Sequence, residues 1–355
     1  MPHGYMDMPQ AACKPETALT CMSGVAAAAR KDACLQCRGD ASVARRAINA
    51  CGKIAHWQQA LALLAFMGQD VLEPNFVTYT SVINACRKGA EWQQALALLL
   101  VMGQIDVEPN IISYSTVISS CGKVGNWQTA VALLSAMGRA TVELDNISHS
   151  AAISACEKGG AWQIALALLS AMGQVTVECD TISYNAAISA CEKAASWMMA
   201  LALLAAMKQA IVNSNTISYN AAISACGKAA RWQTAIALLT AMSQASIKLD
   251  TVSYNAAISA CQKAVEWQAA IALLNTMVWA VVEPNAISYN SAISACEKAV
   301  EWHAALVLLE AMDRASVEPD ISSHTTATVA CSAAITACGK SAQWWTALAL
   351  LAEMV

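Results

Sequence analysis

The sequence predicts an all-α fold, a superhelical α-solenoid of helix-turn-helix repeats, on three observations. Tryptophans stand 35 residues apart at Trp57, Trp92, Trp127, Trp162, Trp197, Trp232, Trp267 and Trp302, each with a cysteine six residues before it. Every unit holds two stretches with apolar residues at helical spacing, and no stretch alternates apolar and polar residues as a strand would. A fixed period of about 20 to 50 residues marks an array in which each unit buries its apolar face only against its neighbours.

The unit Thr181 to Asn215 gives the elements in order. Tyr184, Ala187, Ile188 and Cys191 fall on one face of a first helix, and Trp197, Leu201, Leu204 and Met207 on one face of a second. Small, glycine-rich or charged residues separate the two, as in Gly125-Asn126, Gly159-Gly160 and Ala194-Ala195, which suits a tight turn. Between units, Val71-Leu-Glu-Pro-Asn75 and Val282-Glu-Pro-Asn285 end one helix at proline and open the next at an N-capping residue.

This frame divides the chain of 355 residues into a non-repeat segment 1–40, a degenerate capping repeat 41–75, seven regular repeats over 76–320, and a final repeat 321–355 with a seven-residue insertion. In the capping repeat Ala44 holds the tyrosine phase and Arg45 follows it, so it is assigned no base. The final repeat ends with Trp345, Leu350 and Leu351 expected to be exposed, a surface for further repeats or a protein partner.

Apolar residues make up 57% of the chain, yet the longest candidate membrane segment, Ala194 to Met207, has 14 residues. A membrane helix needs about 18 or more, so this is a buried helix and no membrane partner is expected. The recurrent cysteines, Cys51 to Cys296 and then Cys338, read as small buried apolar residues rather than disulfides. Cys34 and Cys37 have the spacing of half a zinc site, without a second pair to complete it. The histidines are scattered. No nucleophile, metal cage or phosphate loop stands out, so neither catalysis nor a cofactor is expected.

The ordered features Val77-Thr-Tyr-Thr80 and Ile182-Ser-Tyr-Asn185, Cys-x-Lys before the turn, Ala-Leu in the second helix, a late methionine and a closing Glu-Pro-Asn/Asp resemble pentatricopeptide repeats of the 35-residue P type. The resemblance covers about residues 41–355 and implies a right-handed superhelix that binds single-stranded RNA at about one base per repeat. It further implies that the residue after the tyrosine and the last residue of the same repeat choose the base together. Thr80 with Asn110 then resembles an adenine reader, and Ser115 with Asp145 and Ser150 with Asp180 resemble guanine readers. Asn185 with Asn215 and Asn255 with Asn285 resemble pyrimidine readers leaning to cytosine, while Asn220 with Asp250 and Asn290 with Asp320 resemble uracil readers. The implied site is 5′-AGGYUYU-3′, where Y is a pyrimidine.

The same resemblance makes Val77, Ile112, Ile147, Ile182, Ile217, Val252 and Ile287 base-packing residues, and Lys88, Lys123, Lys158, Lys193, Lys228, Lys263 and Lys298 a ladder of RNA-backbone contacts. Simpler roles exist for both polar sets. Asn and Asp at a repeat boundary are good helix N-caps, and lysine before a turn interacts favourably with a helix C-terminus. A cap alone leaves polarity at the second position in seven repeats unexplained, so dual use is the expectation. The net charge of −4 opposes RNA binding overall, but 9 of 21 cationic residues, these seven lysines with Lys53 and Lys340, stand just before the turn of their units and can form a basic stripe.

Two functions follow. The first is a non-enzymatic, sequence-selective RNA binder acting in stability, processing or translation of a transcript in a chloroplast or mitochondrion, with any cleavage or editing supplied by another protein. Asp7, Glu16, Asp32 and Asp40 make the first segment a weak transit peptide for either organelle. The alternative is a helical-repeat scaffold for protein–protein interaction that binds no RNA.

Overall fold

The computed structural model describes residues 41–315 and 317, except 70–73, 106, 141, 143, 175–178 and 300. Segment 1–40 with Cys34 and Cys37, the residue Asp320 and the final unit 321–355 lie outside the described residues.

Among the described residues sixteen α-helices follow one another and no strand occurs. They form hairpins: α1 (Ala41–Ile54) with α2 (Trp57–Gln69), α3 (Phe76–Lys88) with α4 (Trp92–Gln104), α5 (Ile111–Val124) with α6 (Trp127–Arg139), and α7 (Asn146–Gly159) with α8 (Trp162–Gln174). After them come α9 (Thr181–Lys193) and α10 (Trp197–Gln209), α11 (Thr216–Lys228) and α12 (Trp232–Gln244), α13 (Thr251–Ala264) and α14 (Trp267–Trp279), and α15 (Ala286–Lys298) and α16 (Trp302–Arg314).

The chain divides into two compact units, Met1–Ala190 and Cys191–Val355. In the first, α1, α3, α5 and α7 pack successively on one another while each also packs on its own second helix and on the one before. In the second, α11, α13 and α15 do the same. Each unit is thus a stack of hairpins, as expected of a solenoid.

Local chemistry sets each boundary. Asn75, Asn110, Asp145, Asp180, Asn215, Asp250 and Asn285 each accept the backbone N–H of the third helical residue, removing one orphan donor of the first turn. At the other end the chain turns through a left-handed residue at one repeat phase, occupied by Ala55, Ala90, Gly125, Gly160, Ala195, Ala230 and Val265. The next residue returns its N–H to the carbonyl of the recurrent cysteine, as Glu91 does to Cys86 at 2.9 Å and Ser196 to Cys191 at 2.9 Å. This is the six-to-one bond of a Schellman turn. The conserved spacing from cysteine to tryptophan is therefore the length of that turn.

Fully buried Met67, Met102, Met137, Met172, Met207, Met242, Met277 and Met312 line the core with the cysteines, isoleucines and tyrosines of the first helices. The described cysteines are all free thiols, and burial pushes those of Cys86 and Cys121 up to about 12. One sequence expectation needs adjustment. Ala200, Leu203, Leu204 and Met207 form the buried face of α10, with Leu201 half-buried, because steps of three and four from Met207 reach Ala200 rather than Leu201. The tryptophans Trp57, Trp92 and Trp127 are half-buried at the core's edge and pack between hairpins. A Cβ on Gly89 would lie 2.6 Å from Trp57 Cδ1, and one on Gly159 would lie 2.5 Å from Trp127 Cδ1.

Among the described residues no helix is long and apolar enough to cross a membrane.

Candidate nucleic-acid interface

The first turn of each first helix repeats one arrangement. After the cap, the second helical residue projects outward, the third and fourth turn inward, and the fifth is half-buried on the same face as the second, three residues on. Ile112 in α5 and Ile147 in α7 occupy this outward place like Val77 in α3. The seven aliphatics Val77, Ile112, Ile147, Ile182, Ile217, Val252 and Ile287 are 47% to 65% exposed. Single exposed aliphatics are ordinary; a row of them at one phase, each beside a polar side chain, is a surface with a repeating chemistry.

In the second unit the paired polar positions touch. Asn220 Nδ2 donates to Asp250 Oδ1 at 3.1 Å and Oδ2 at 3.4 Å, although 30 residues separate them. One repeat later Asn255 Nδ2 donates to Asn285 Oδ1 at 3.2 Å. Asp250 and Asn285 simultaneously cap α13 and α15, accepting from Ser253 N at 2.8 Å and Ser288 N at 3.1 Å. Capping and pairing therefore coexist in the same side chains. Burial alone would raise the Asp250 carboxyl, but hydrogen bonds from the Ser253 hydroxyl and backbone and from Asn220 outweigh it and hold it below its usual range.

In the first unit the hydroxyl-bearing positions behave differently. Thr80 Oγ1 donates to Phe76 O at 2.6 Å, Ser115 Oγ to Ile112 O at 3.2 Å and Ser150 Oγ to Ile147 O at 3.1 Å, each within its own helix. Asn110, Asp145 and Asp180 cap the following helices. A hydroxyl is too short to reach across and turns to the nearest carbonyl. Asn185 lies half-buried on α9, Asn215 caps α11 in the second unit, Asn290 lies half-buried on α15, and Asp320 is outside the described residues.

All seven ladder lysines are exposed. Three reach the carbonyl at the end of the preceding first helix rather than their own: Lys88 Nζ donates to Lys53 O at 2.7 Å, Lys123 to Lys88 O at 3.5 Å and Lys158 to Lys123 O at 3.3 Å. Partial burial, then the like charges of Arg87, Lys158 and Lys88, lower the Lys123 pKa, so Lys123 stands among neighbouring cations of the first unit. In the second unit Lys228 instead pairs with Glu192 Oε1 at 3.0 Å, the carboxylate also accepting from Ser224.

The serine at the third helical position, to which periodicity alone assigns no role, belongs to the same surface. Ser113, Ser148, Ser183, Ser218, Ser253 and Ser288 are fully buried polar residues. Their signal in the sequence is a hydroxyl three residues after every Asn or Asp cap, with Thr78 in the first regular repeat. Among the described residues no three metal-binding side chains converge.

Comparison with known proteins bears on the family and the fold. The model of the PPR repeat family matches residues 214–263 and 249–298, that of the pentatricopeptide repeat domain matches 62–124 and 168–229, and that of the PPR repeat matches 112–142 and 287–317. No curated protein matches the chain significantly. Among solved structures, the pentatricopeptide repeat protein PPR10 from maize is similar over 97% of this chain and 49% of its own, at 23% identity and a TM-score of 0.65. The present chain thus spans about half the length of that relative. PPR10 in complex with an 18-nt psaJ RNA element is matched over 95% of this chain and 59% of its own at 16% identity and a TM-score of 0.39. The PPR domain of the Arabidopsis thaliana protein-only RNase P 1, in complex with tRNA, is matched over 49% of this chain and 91% of its own at 16% identity and a TM-score of 0.43. With three repeat models distributed along an all-helical array of 35-residue hairpins, the chain belongs to the pentatricopeptide repeat family.

Proposed function

We propose that the chain binds single-stranded RNA without acting on it chemically, reading about one base per hairpin at the first turns of its first helices. The observation that carries this reading is the direct contact of Asn220 with Asp250 and of Asn255 with Asn285, each pair beside exposed aliphatics from consecutive hairpins. Short amides and carboxylates held side by side offer donors and acceptors to a Watson-Crick edge, and a branched aliphatic above and below offers the base an apolar surface. In the other described repeats Thr80 with Asn110, Ser115 with Asp145, and Ser150 with Asp180 take the same roles, and Asn185 in the first unit and Asn215 in the second are each assigned as reading positions. Asn290 and Asp320 complete the series, and the site is 5′-AGGYUYU-3′. Lys88, Lys123 and Lys158 supply the basic stripe for phosphates, with weaker contributions from Lys193, Lys228, Lys263 and Lys298. On this reading the binding serves the stability, processing or translation of an organelle transcript.

RNA binding of the whole chain to AGGYUYU and to scrambled oligonucleotides of equal composition tests the reading. Selective binding to the former supports it. Equal or absent binding at low salt overturns it and favours the protein scaffold, for which Ile211, Trp279 and Val281, each exposed by more than 85%, would be the first surface to probe.

A further inference from the structure

The side chains that face a base must also be held in one orientation, and asparagine is the residue for which this matters most. Rotating its amide by half a turn exchanges a donor for an acceptor at nearly no steric cost. Uracil presents an N–H donor and a carbonyl acceptor, whereas cytosine presents a ring acceptor and an amino donor. An Asn that flips freely therefore cannot distinguish them.

In the second unit the flip is blocked from the next hairpin. Ser253 Oγ lies 2.6 Å from Asn220 Oδ1, and Ser288 Oγ lies 2.6 Å from Asn255 Oδ1. Both serines are fully buried. Each hydroxyl has one proton and two oxygen acceptors within reach, the Asn oxygen and the cap oxygen, the latter at 2.7 Å for Ser253 and Asp250 and 3.0 Å for Ser288 and Asn285, and Ser253 also has the weak acceptor Met242 Sδ at 3.8 Å. The Asn oxygen is the nearer in both cases, at 2.6 Å against 3.0 Å for Ser288 and 2.6 Å against 2.7 Å for Ser253, whose proton is shared between Asn220 and the Asp250 carboxylate. The same hydroxyl stands 3.4 Å from the backbone nitrogen of Asp250, or 3.1 Å from that of Asn285, and accepts its N–H, which orients the hydroxyl proton away from the cap's backbone.

The equivalent serine that follows a hydroxyl-bearing position lacks this partner. Ser115 turns its hydroxyl to its own helix, and Ser148, in the next hairpin, is left with a buried Oγ that finds no hydrogen-bond partner. An orphaned buried hydroxyl is costly. Ser113 and Ser183, which also follow hydroxyl-bearing positions, fall back on their own caps, donating to Asn110 Oδ1 at 3.1 Å and Asp180 Oδ1 at 2.7 Å, whereas Ser253 and Ser288 also reach the preceding hairpin, which carries Asn.

We infer that Ser253 and Ser288 are positioning residues for base selectivity: each pins the amide oxygen of the Asn in the preceding hairpin, directs the amide nitrogen to the cap residue, and leaves one defined donor and one defined lone pair for the base. This rests on the RNA-reading role proposed above. It places a specificity determinant on the hairpin after the one that carries the reading Asn.

The test uses the full chain with Ser253→Ala and Ser253→Thr. The alanine variant keeps the cap, which uses the backbone N–H, and the threonine variant keeps the hydroxyl, as Thr78 does at the same phase. Binding is measured to RNAs that differ only in the base opposite the Asn220 hairpin. We expect Ser253→Ala to reduce discrimination between uracil and cytosine there by about fivefold, the worth of one neutral hydrogen bond, with no change at the base opposite Asn290, and Ser253→Thr to restore it. Uniform loss at every base, or unchanged discrimination, overturns the inference while leaving RNA reading intact. If the unsubstituted chain shows no base selectivity, the RNA reading itself fails. The side-chain amide signals of Asn220 in the RNA-free protein then decide the positioning separately: two well-resolved, slowly exchanging protons that collapse in Ser253→Ala support it, and signals indifferent to the substitution overturn it.

Discussion

Lys88 Nζ sits 2.7 Å from the carbonyl oxygen of Lys53, its counterpart 35 residues earlier. The contact joins two hairpins by placing a cation at the C-terminal end of a neighbouring helix, where the helix dipole is negative. It also fixes the ammonium group on an exposed stripe with Lys123 and Lys158. Replacing Lys123 by Met is expected to cost about 0.3 to 1 kcal/mol of stability and to reduce the salt dependence of RNA binding by about 0.7 in slope. Urea denaturation and binding over a salt series read the two effects separately. A slope that stays the same would confine the lysine to joining hairpins.

Gly159 and Gly138 are expected to respond to alanine with opposite signs. A Cβ on Gly159 would lie 2.5 Å from Trp127 Cδ1 and 2.6 Å from Gly125 O, so Gly159→Ala must displace backbone or indole and should destabilise by about 1 to 3 kcal/mol. Gly138, in α6, has nothing within 4 Å of the same position. Gly138→Ala should stabilise by up to about 1 kcal/mol through helix propensity and unfolded-state entropy. Chemical denaturation midpoints of the two variants check the contrast.

Val265 occupies the left-handed turn position with φ 63°, where Gly125 and Gly160 sit in earlier hairpins. A β-branched residue there carries backbone strain that glycine does not. Val265→Gly is expected to stabilise the second unit by about 1 kcal/mol, the relief of strain being partly offset by the entropy glycine loses on folding. Thermal unfolding should show the rise, and a fall would mean that Val265 packs more than its 42% exposure implies.

Asp250 links stability, pH and base choice. Its folded-state pKa is depressed, so the stability it contributes is present above the ordinary carboxylate range and is lost as pH falls through the lower folded value. Asp250→Asn keeps a side-chain oxygen for the cap and should alter stability at neutral pH by less than about 0.5 kcal/mol, Asn and Asp being near-equal caps. It should abolish this group's share of the acid-side stability slope. It also converts the pair into the Asn–Asn type of Asn255 and Asn285, so the base preference of that hairpin should move from uracil towards cytosine. Unfolding at pH 3 and pH 7, together with binding to RNAs varied at one base, tests both halves.

The sequence determined the frame. A 35-residue phase, apolar residues at three- and four-residue steps, and Asn or Asp after a turn are local facts, and each maps onto one helix, one cap or one turn with little reference to the rest of the chain. The helix starts at Trp92 and Trp197, the caps at Asn110 and Asp250 and the burial of Met102 and Cys86 were all legible for that reason. The paired positions were legible only through family resemblance, and their roles as readers stand as proposals. Tertiary structure decided which side chains meet across hairpins: Asn220 with Asp250 and Ser253, Lys88 with the carbonyl of Lys53, Trp57 against Gly89. Those contacts depend on the angle and distance at which one hairpin stacks on the next, set by the packing of many core side chains together, and a repeat pattern that is the same in every unit carries no measure of either.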